Sequence, residues 1–309
     1  MITETTMLYL YVETSLHAGV GSGLSSIDMP IQRERATQYP MIQSTGIKGK
    51  LRAAIEWERE KLSEDKKNEV DILFGPPAGN GQGSEHAGAL IAGDARILLF
   101  PVRSLNGVFA YTTSCNVLAR FLRDIERGQG DSTSGGNKPS WQIPDQIKNK
   151  ALVATTSDIQ ANNTIVLEEF SFAAEASIQV DAIGTWLADH TLPDPGVGDY
   201  WRNKIKKSLV ILPEDDFRDF TLHATEIITR IRINRGTKTV DNGALWTEEH
   251  LPPDTLLYTP IYATNARKKG ATLTASQVLT NVKSQNINYL QLGGDETVGR
   301  GLVRVRWGS

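Results

Sequence analysis

Residues 290–306, reading LQLGGDETVGRGLVRVR, combine closely spaced glycines with charged side chains. Glycines reach positive φ and allow a second backbone to approach closely. Arg300 lies among the glycines, and Arg304 and Arg306 follow on the polar side of an alternating strand pattern. We expect this segment to bind phosphate groups, with Gly294 and Arg300 as contacts. The alternative is a tight β-turn followed by an edge strand.

Further cations are concentrated elsewhere in the chain. Lys48, Lys50 and Arg52 fall in the first two turns of a predicted helix, where the helix dipole disfavours positive charge. Side chains that oppose the dipole favour a bound phosphate, although exposed lysines on a surface helix would give the same pattern. Arg33 and Arg235 are the next candidates for phosphate contacts.

The overall charge alone does not indicate a nucleic-acid-binding protein. The 33 basic and 36 acidic residues give a net charge of −3. Residues 29–55, however, contain five basic residues and one acid, and residues 227–240 contain four basic residues and no acid. This separation predicts a basic face on an acidic body, which can bind phosphates while the protein stays soluble.

The chain has features of a cytoplasmic protein. Its single cysteine, Cys115, rules out an internal disulfide and favours a reducing compartment. The apolar run at residues 8–12 is too short to cross a bilayer, so we expect no membrane partner. Glycines 19, 21 and 23 lack the spacing of a dinucleotide-binding fingerprint, which argues against a nucleotide cofactor.

The patterning predicts an α+β fold with a mostly antiparallel sheet. Strands are expected at residues 7–13 and 95–102, and an amphipathic helix at 115–125. Residues 128–140 are of low complexity and expected to be mobile. Strand-like ends at 229–233 and 255–262 bracket an irregular stretch, which predicts a protruding hairpin.

The helix that carries the basic cluster is expected to begin near Gly46. Ser44 or Thr45 is positioned to cap it. Its apolar side is predicted to contain Ile47, Leu51, Ile55 and Leu62.

Six stretches, in order, resemble one family. They are HAGVGSG, IDMPIQRE, GIKGKLRAAIEWE, FGP, DARILLFPVRSLNGVFAY and GALWTEEHLPPDTLLY. Together with the final GGDETVGRG, they resemble the RAMP superfamily of CRISPR-associated RNA-binding proteins. Within it, they are most similar to the filament-backbone (fourth) subunits of type III-B Cmr effector complexes. The resemblance covers essentially the whole chain.

This resemblance implies a fold and a function. The fold would be one ferredoxin-like (RNA-recognition-motif-like) palm over residues 1–309, with inserts and a thumb β-hairpin at about 235–262. Copies would stack along a CRISPR guide RNA beside other Cmr subunits. Each thumb would displace a nucleotide, and the paired single-stranded target RNA would be cut at regular intervals by 2′-hydroxyl attack with a divalent metal, Mg²⁺ or Mn²⁺.

The resemblance also implies roles for particular residues. The cleavage aspartate of the family's ID-x-P-x-x-R-E loop corresponds to Asp28, which is therefore expected to be catalytic and to hold the metal. An ordinary carboxylate is a poor base for an alcohol, so metal binding or positioning is the favoured role. His17 is expected to shuttle a proton or to be a hydrogen-bonded structural histidine. Leu245 and Trp246 are expected to wedge into the base stack or to contact the next subunit.

Two acids of the thumb and two other functions remain open. Glu248 and Glu249 are expected to be solvated charges, with an approach to a scissile phosphate as the alternative. The protein is alternatively a scaffold that binds RNA without cutting it. It is alternatively a guide-processing endoribonuclease that acts alone, which would ordinarily use a histidine-based acid/base site.

Overall fold

A computed structural model of the protein describes residues 2–23, 26–57, 59–77, 86–129, 139–145, 147–193 and 198–308. Most of the low-complexity stretch predicted at 128–140 lies outside these residues. The strands are β1 (Glu4–Val12), β2 (Met41–Ile42), β3 (Leu90–Ala92), β4 (Ala95–Arg103), β5 (Phe109–Ser114), β6 (Ala151–Val153), β7 (Thr164–Leu167), β8 (Phe170–Ala176), β9 (Leu209–Leu212), β10 (Glu226–Ile233), β11 (Val240–His250), β12 (Leu256–Ala263), β13 (Tyr289–Gln291) and β14 (Leu302–Trp307).

Helices separate many of these strands in the chain. They are α1 (Ser44–Ile55), α2 (Glu64–Phe74), α3 (Cys115–Gln129), α4 (Ile178–His190), α5 (Gly198–Ser208), α6 (Glu214–His223) and α7 (Ala275–Lys283). Short 3₁₀ turns lie at Arg59–Lys61 and Glu296–Val298. None of the helices in the described ranges is long and apolar enough to span a membrane.

One large mixed sheet organises the described chain. Its main path is β13-β14-β1-β12-β4-β5-β9-β6-β8-β7, with β2 on β4 and β3 on β12. Only the β5–β9 and β6–β8 pairs are parallel among the described pairings. The predicted α+β class with a mostly antiparallel sheet is therefore confirmed, as are the first strand, the strand at 95–102 and the helix at 115–125.

β1 forms the centre of the core between β12 and β14. Leu8 and Leu10 are fully buried, and Tyr9 on the other face is nearly so. Tyr9 meets Phe121 of α3 edge-on, with ring centroids 6.3 Å apart, and Phe121 also contacts Tyr258 of β12 at 4.9 Å. Burial on both faces explains why β1 is an unbroken apolar run from Met7 to Val12.

α1 is amphipathic as predicted, but its cap differs from the prediction. Its buried side chains are Ile47, Leu51 and Ile55. Neither Ser44 nor Thr45 caps it, because the helix already begins at Ser44. The Ser44 N–H instead donates to Asp94 Oδ1 at 2.8 Å, so the helix start is satisfied by a residue remote in sequence. Leu62 lies beyond the end of the helix.

The protruding hairpin exists, but the predicted bounds of 235–262 were wrong. β10 and β11 pair antiparallel as a separate two-stranded sheet, so the hairpin spans 226–250. β12, predicted as its second arm, lies in the large sheet and pairs with β1. β12 is mostly apolar and buried along almost its whole length, which is typical of a strand buried on both faces. β11 is mostly polar, contains Gly243 and is buried chiefly at its end.

The central position of β1 gives a stability prediction. Leu10→Ala removes a fully buried side chain, and we expect the free energy of unfolding to fall by about 2–5 kcal/mol. Leu105→Ala, at a side chain 78% exposed, is the matched control and should change it by less than about 0.5 kcal/mol. Urea denaturation measures both, and equal losses would contradict the assigned core.

Candidate nucleic-acid interface

Three segments distant in sequence meet at the base of the hairpin. They are the β1 exit loop (residues 13–20), the end of β11, and the glycine-rich loop (residues 292–301). Leu16 and Leu251 exchange main-chain hydrogen bonds of 2.9 and 2.8 Å. The Gly294 N–H donates to the His17 carbonyl at 3.0 Å, and the Gly301 N–H donates to the Ser15 carbonyl at 3.0 Å. The interface is therefore built from main-chain contacts between both ends of the chain.

Glycine is required where the glycine-rich loop meets the β1 exit loop. Gly293 has φ +76°, and an added Cβ would lie 2.2 Å from the His17 carbonyl oxygen. At Gly301, with φ +71°, it would lie 2.0 Å from the Leu292 oxygen. The sequence predicted that a second backbone would approach these glycines closely. Part of that backbone belongs to this chain itself. Gly299, with φ +79°, has open space at the Cβ position.

Asp28 lies exposed on a short segment alongside β11. The Met29 N–H donates to the Thr247 carbonyl, and the Glu249 N–H donates to the Met29 carbonyl, both at 3.0 Å. Asp28 Oδ2 accepts from the Thr247 N–H at 2.8 Å and from the Thr247 hydroxyl at 3.0 Å. Oδ1 has no hydrogen-bond partner among the described residues. One carboxylate oxygen is therefore fixed and the other is available.

Arg33 is half-buried and already has partners within this chain, while its phosphate contact stays a prediction. Its guanidinium forms an ion pair with Glu249 and donates to the carbonyls of Gln38 and Thr221 at 2.9 Å. Glu249 is 2% exposed, so the prediction of a solvated charge was wrong. Glu248 is likewise buried, at 5% exposure. Alternation along β11 sends Thr247 and Glu249 to one face and Glu248 to the other.

His17 occupies a buried position. Its Nδ1 lies 2.7 Å from the Glu249 carbonyl oxygen, and its ring centroid is 5.3 Å from that of His250. An added Cβ at Gly19 would lie 2.5 Å from His17 Nε2, so the second ring nitrogen faces backbone. Of the two roles expected from the sequence, this arrangement is that of a hydrogen-bonded structural histidine, and the proton-shuttle role stays a prediction.

The three basic residues of α1 have different surroundings. Arg52 forms ion pairs with Glu56 and Asp71, and its phosphate contact stays a prediction. Lys50 donates to Gln291 Oε1 at the end of β13 at 2.7 Å, and its ammonium lies 3.6 Å from Glu296 Oε2 of the glycine-rich loop. Lys48 has no acidic partner among the described residues. Burial, followed by the charges of Arg52 and Arg267, lowers the pKa of Lys48.

An open groove with a volume of about 470 Å³ lies between α1 and the glycine-rich loop. Its lining includes the small residues Thr45, Gly46 and Gly49, together with Lys50 and Gly293. Small side chains leave the α1 backbone accessible, so an extended polyanion can approach the helix closely. The groove joins two of the segments that the sequence selected for phosphate binding.

The remaining predicted residues lie on or near the hairpin. Arg300 Nη1 donates to Ser15 Oγ at 2.8 Å, which anchors the glycine-rich loop. Arg235 is exposed in the hairpin turn. Leu245 is 64% exposed, whereas the Trp246 indole N–H donates to Glu248 Oε1 at 2.7 Å. Of the two predicted wedge residues, Leu245 is thus the one whose side chain is freely presented.

Sequence reasoning missed Thr247, Arg230 and His250. Thr247 orients Asp28, and Arg230 contacts Asp295 at 3.2 Å. His250 is one of five histidines in the chain, and no pair of them has the spacing of a zinc motif. Its burial beside Glu248 and Asp295 depends on the hairpin register, which has no local sequence signature.

The large sheet, the protruding hairpin and the glycine-rich loop are the features that define the structural class of this protein. The chain matches the RAMP superfamily model over residues 9–304 and belongs to that superfamily. The expected ferredoxin-like palm is thereby confirmed.

Particular relatives refine this placement. The chain is 40% identical over 296 residues to the CRISPR system Cmr endoribonuclease Cmr4 of Pyrococcus furiosus, covering 96% of this chain and 93% of the relative. It is 25% identical over 312 residues to the CMR subunit Cmr4 of Saccharolobus solfataricus, covering 96% and 95%. The crystal structure of oligomeric Cmr4 from Pyrococcus furiosus superposes with a TM-score of 0.72 at 32% identity, covering 99% and 98%. A chain of a type III-B Cmr-beta complex bound to cognate target RNA shares the fold, with a TM-score of 0.74 at 23% identity and 99% and 98% coverage.

The contact between the glycine-rich loop and His17 can be tested with matched glycines. Gly293→Ala adds a backbone clash to an unfavourable φ, and we expect it to lower the free energy of unfolding by about 3 kcal/mol or more. Gly299→Ala has a similar φ in open space and should cost only about 1–2 kcal/mol. Chemical denaturation compares the two; equal losses would mean that the close approach is not a constraint.

Proposed function

We propose that this protein is the filament-backbone subunit of a type III-B CRISPR effector complex and that it cleaves target RNA. In this role it binds guide RNA, assembles with copies of itself and with other Cmr subunits, and cuts the paired target at regular intervals. The relative at 40% identity is named as a Cmr endoribonuclease, and a structural neighbour is an oligomeric Cmr4. The cytoplasmic location stays a prediction.

The observation that carries the cleavage role is the presentation of Asp28. Its carboxylate is exposed, yet one oxygen is fixed by two donors from Thr247 at the hairpin base. Fixing a reactive group before the substrate arrives reduces the entropy cost of aligning it. A hairpin that displaces a nucleotide would bring the scissile phosphate to this base.

The chemistry assigns Asp28 a positioning or metal-binding role. Attack by a 2′-hydroxyl requires in-line alignment, loss of the hydroxyl proton and compensation of charge on the phosphoryl oxygens. A divalent ion, Mg²⁺ or Mn²⁺, would supply that compensation. The available Oδ1 of Asp28 suits such an ion, and one carboxylate is a fitting protein contribution where RNA phosphates complete the ligands. Asp28 would hold it, while Thr247 orients the carboxylate.

We assign the guide RNA backbone to the groove between α1 and the glycine-rich loop. Lys50 lines this groove, and Arg300 belongs to the glycine-rich loop that forms its other side. Lys48, on the same helix but outside the lining of the groove, would add a phosphate contact beside it, and Arg235 would meet RNA at the hairpin turn. A phosphate would supply the anion that Lys48 lacks beside Arg52 and Arg267. These contacts would position the backbone, while base pairing supplies sequence specificity.

The hairpin is suited to contacts outside this chain. Ile231 and Leu245 face each other across the two strands and are 49% and 64% exposed. Ile227 and Val240 are also about half exposed. We infer that this apolar surface, acting as the thumb, wedges beside a displaced nucleotide and packs on the next copy.

The cleavage role is tested by Asp28→Asn in the guide-loaded complex. We expect evenly spaced products of a labelled target RNA with Mg²⁺ or Mn²⁺, and a loss of about 100-fold or more in the variant with assembly unchanged. Asp65→Asn, an exposed acid of α2, is the control and should cut normally.

Each other outcome has a distinct meaning. If Asp28→Asn and Asp65→Asn give the same evenly spaced products in equal amounts, Asp28 takes no part in the reaction. If the wild type binds target RNA tightly but does not cut it, the protein is a scaffold that binds RNA without cleaving it. Processing of precursor repeats by the isolated monomer would favour a guide-processing enzyme.

The RNA path is tested by salt dependence. Lys48→Met should weaken guide binding at all sequences and reduce the slope of log K against log salt by about 1. Lys150→Met, whose ammonium pairs with Glu175 on another part of the sheet, should leave the slope unchanged. Fluorescence anisotropy from low to moderate salt measures both slopes. An unchanged slope for Lys48→Met would mean that the guide RNA backbone does not lie against α1.

A further inference from the structure

Three metal-ligating side chains converge between β11 and the glycine-rich loop. Glu248, His250 and Asp295 each offer one ligand atom, and these atoms lie within 4.8 Å of one another. The His250 side chain is fully buried, that of Glu248 is 6% exposed, and that of Asp295 is 20% exposed. Glu248 and His250 project from the face of β11 opposite to Thr247, and Asp295 reaches them from the glycine-rich loop. This cluster is therefore separate from the Asp28 carboxylate.

Each carboxylate has one oxygen occupied and one free. The Trp246 indole N–H donates to Glu248 Oε1 at 2.7 Å, and Arg230 donates to Asp295 Oδ1 at 3.2 Å. Glu248 Oε2 and Asp295 Oδ2 are buried without a hydrogen-bond partner. Arg230 Nε remains 3.6 Å from Glu248 Oε2, which is an ionic contact rather than a hydrogen bond. Two acceptor oxygens therefore lack a donor.

His250 supplies an independent indication of a ligand. Both of its ring nitrogens are buried without a hydrogen bond, an arrangement that is costly for a polar group. Nε2 lies 3.4 Å from Glu248 Oε2, so the ring is directed into the cluster. A neutral imidazole with an available lone pair is the form that binds metals.

We propose that Glu248, His250 and Asp295 bind one divalent transition-metal ion of the Mn²⁺ or Zn²⁺ type. Two carboxylate oxygens and one imidazole nitrogen suit these ions, whereas Mg²⁺ prefers oxygen ligands and retained waters. Trp246 and Arg230 act as outer partners that fix the orientation of the carboxylates. The site does not depend on the proposed cleavage of RNA.

The ion would connect two elements that are far apart in the chain. Glu248 and His250 belong to the hairpin base, whereas Asp295 lies in the glycine-rich loop. Asp295 has φ +61°, a left-handed conformation that a bound ligand helps to retain. Metal binding would thus fix the hairpin relative to the groove assigned to guide RNA, and it should raise the thermal stability of the protein.

The test uses the full purified chain without RNA. After removal of metal with a chelator, equilibrium dialysis against Mn²⁺ or Zn²⁺ should return one tightly bound ion per chain, with a rise in Tm that Mg²⁺ at equal concentration does not give. Pulsed EPR of the Mn²⁺-loaded wild type should show nitrogen coupling from an imidazole ligand.

Conservative variants identify the ligands. Glu248→Gln, His250→Gln and Asp295→Asn should each weaken binding by about tenfold or more, and His250→Gln should lose the nitrogen coupling. Asn tolerates the left-handed conformation at 295, which preserves the loop. His223→Gln, at an exposed histidine, is the control and should bind as the wild type does.

The wild-type measurements decide the proposal even if a variant fails to fold. No retained ion, no Tm shift or no nitrogen coupling would overturn it and leave the carboxylates sharing a proton beside Arg230. Because no RNA is present, these results are separate from those of the Asp28 experiment.

Discussion

The candidate site depends on one buried carboxylate, that of Glu249. It accepts hydrogen bonds from the Ile31 N–H and the Thr225 hydroxyl, both at 3.0 Å, and forms an ion pair with Arg33. A buried charge is stable only when such partners are present. Here the partners come from the Asp28 segment and from the start of β10. The same interaction therefore holds Asp28 against the hairpin and gives the hairpin its base.

Around this interaction, the two ends of the chain close on the hairpin. The β1 exit loop and the glycine-rich loop meet through main-chain hydrogen bonds that Gly293 and Gly301 make sterically possible. Hydrogen bonds between backbones fix relative positions more tightly than flexible surface side chains do. The proposed RNA groove, Asp28 and the buried Glu248 cluster are therefore connected through the same set of main-chain hydrogen bonds.

The basic residues divide according to their chemistry. Arg33 and Arg52 are bound internally by carboxylates, a role suited to the planar, multidentate guanidinium. Lys50 lines the groove and lies 3.6 Å from Glu296 of the glycine-rich loop. Lys48, on the same helix outside the lining, has no acidic partner among the described residues. Counting cations in the sequence therefore does not distinguish the basic residues with carboxylate partners inside the chain from those that remain candidates for phosphate contacts.

The sequence by itself determined the α+β class, the central strands, the amphipathic α1 and the glycine-rich loop, because these follow from local periodicity and glycine placement. The motifs also determined the superfamily and singled out Asp28. Only the tertiary structure decided the hairpin bounds, the ion pair of Arg33 with Glu249, and the meeting of Glu248 with His250 and Asp295. Those depend on strand register and on contacts between distant segments, for which no local pattern exists.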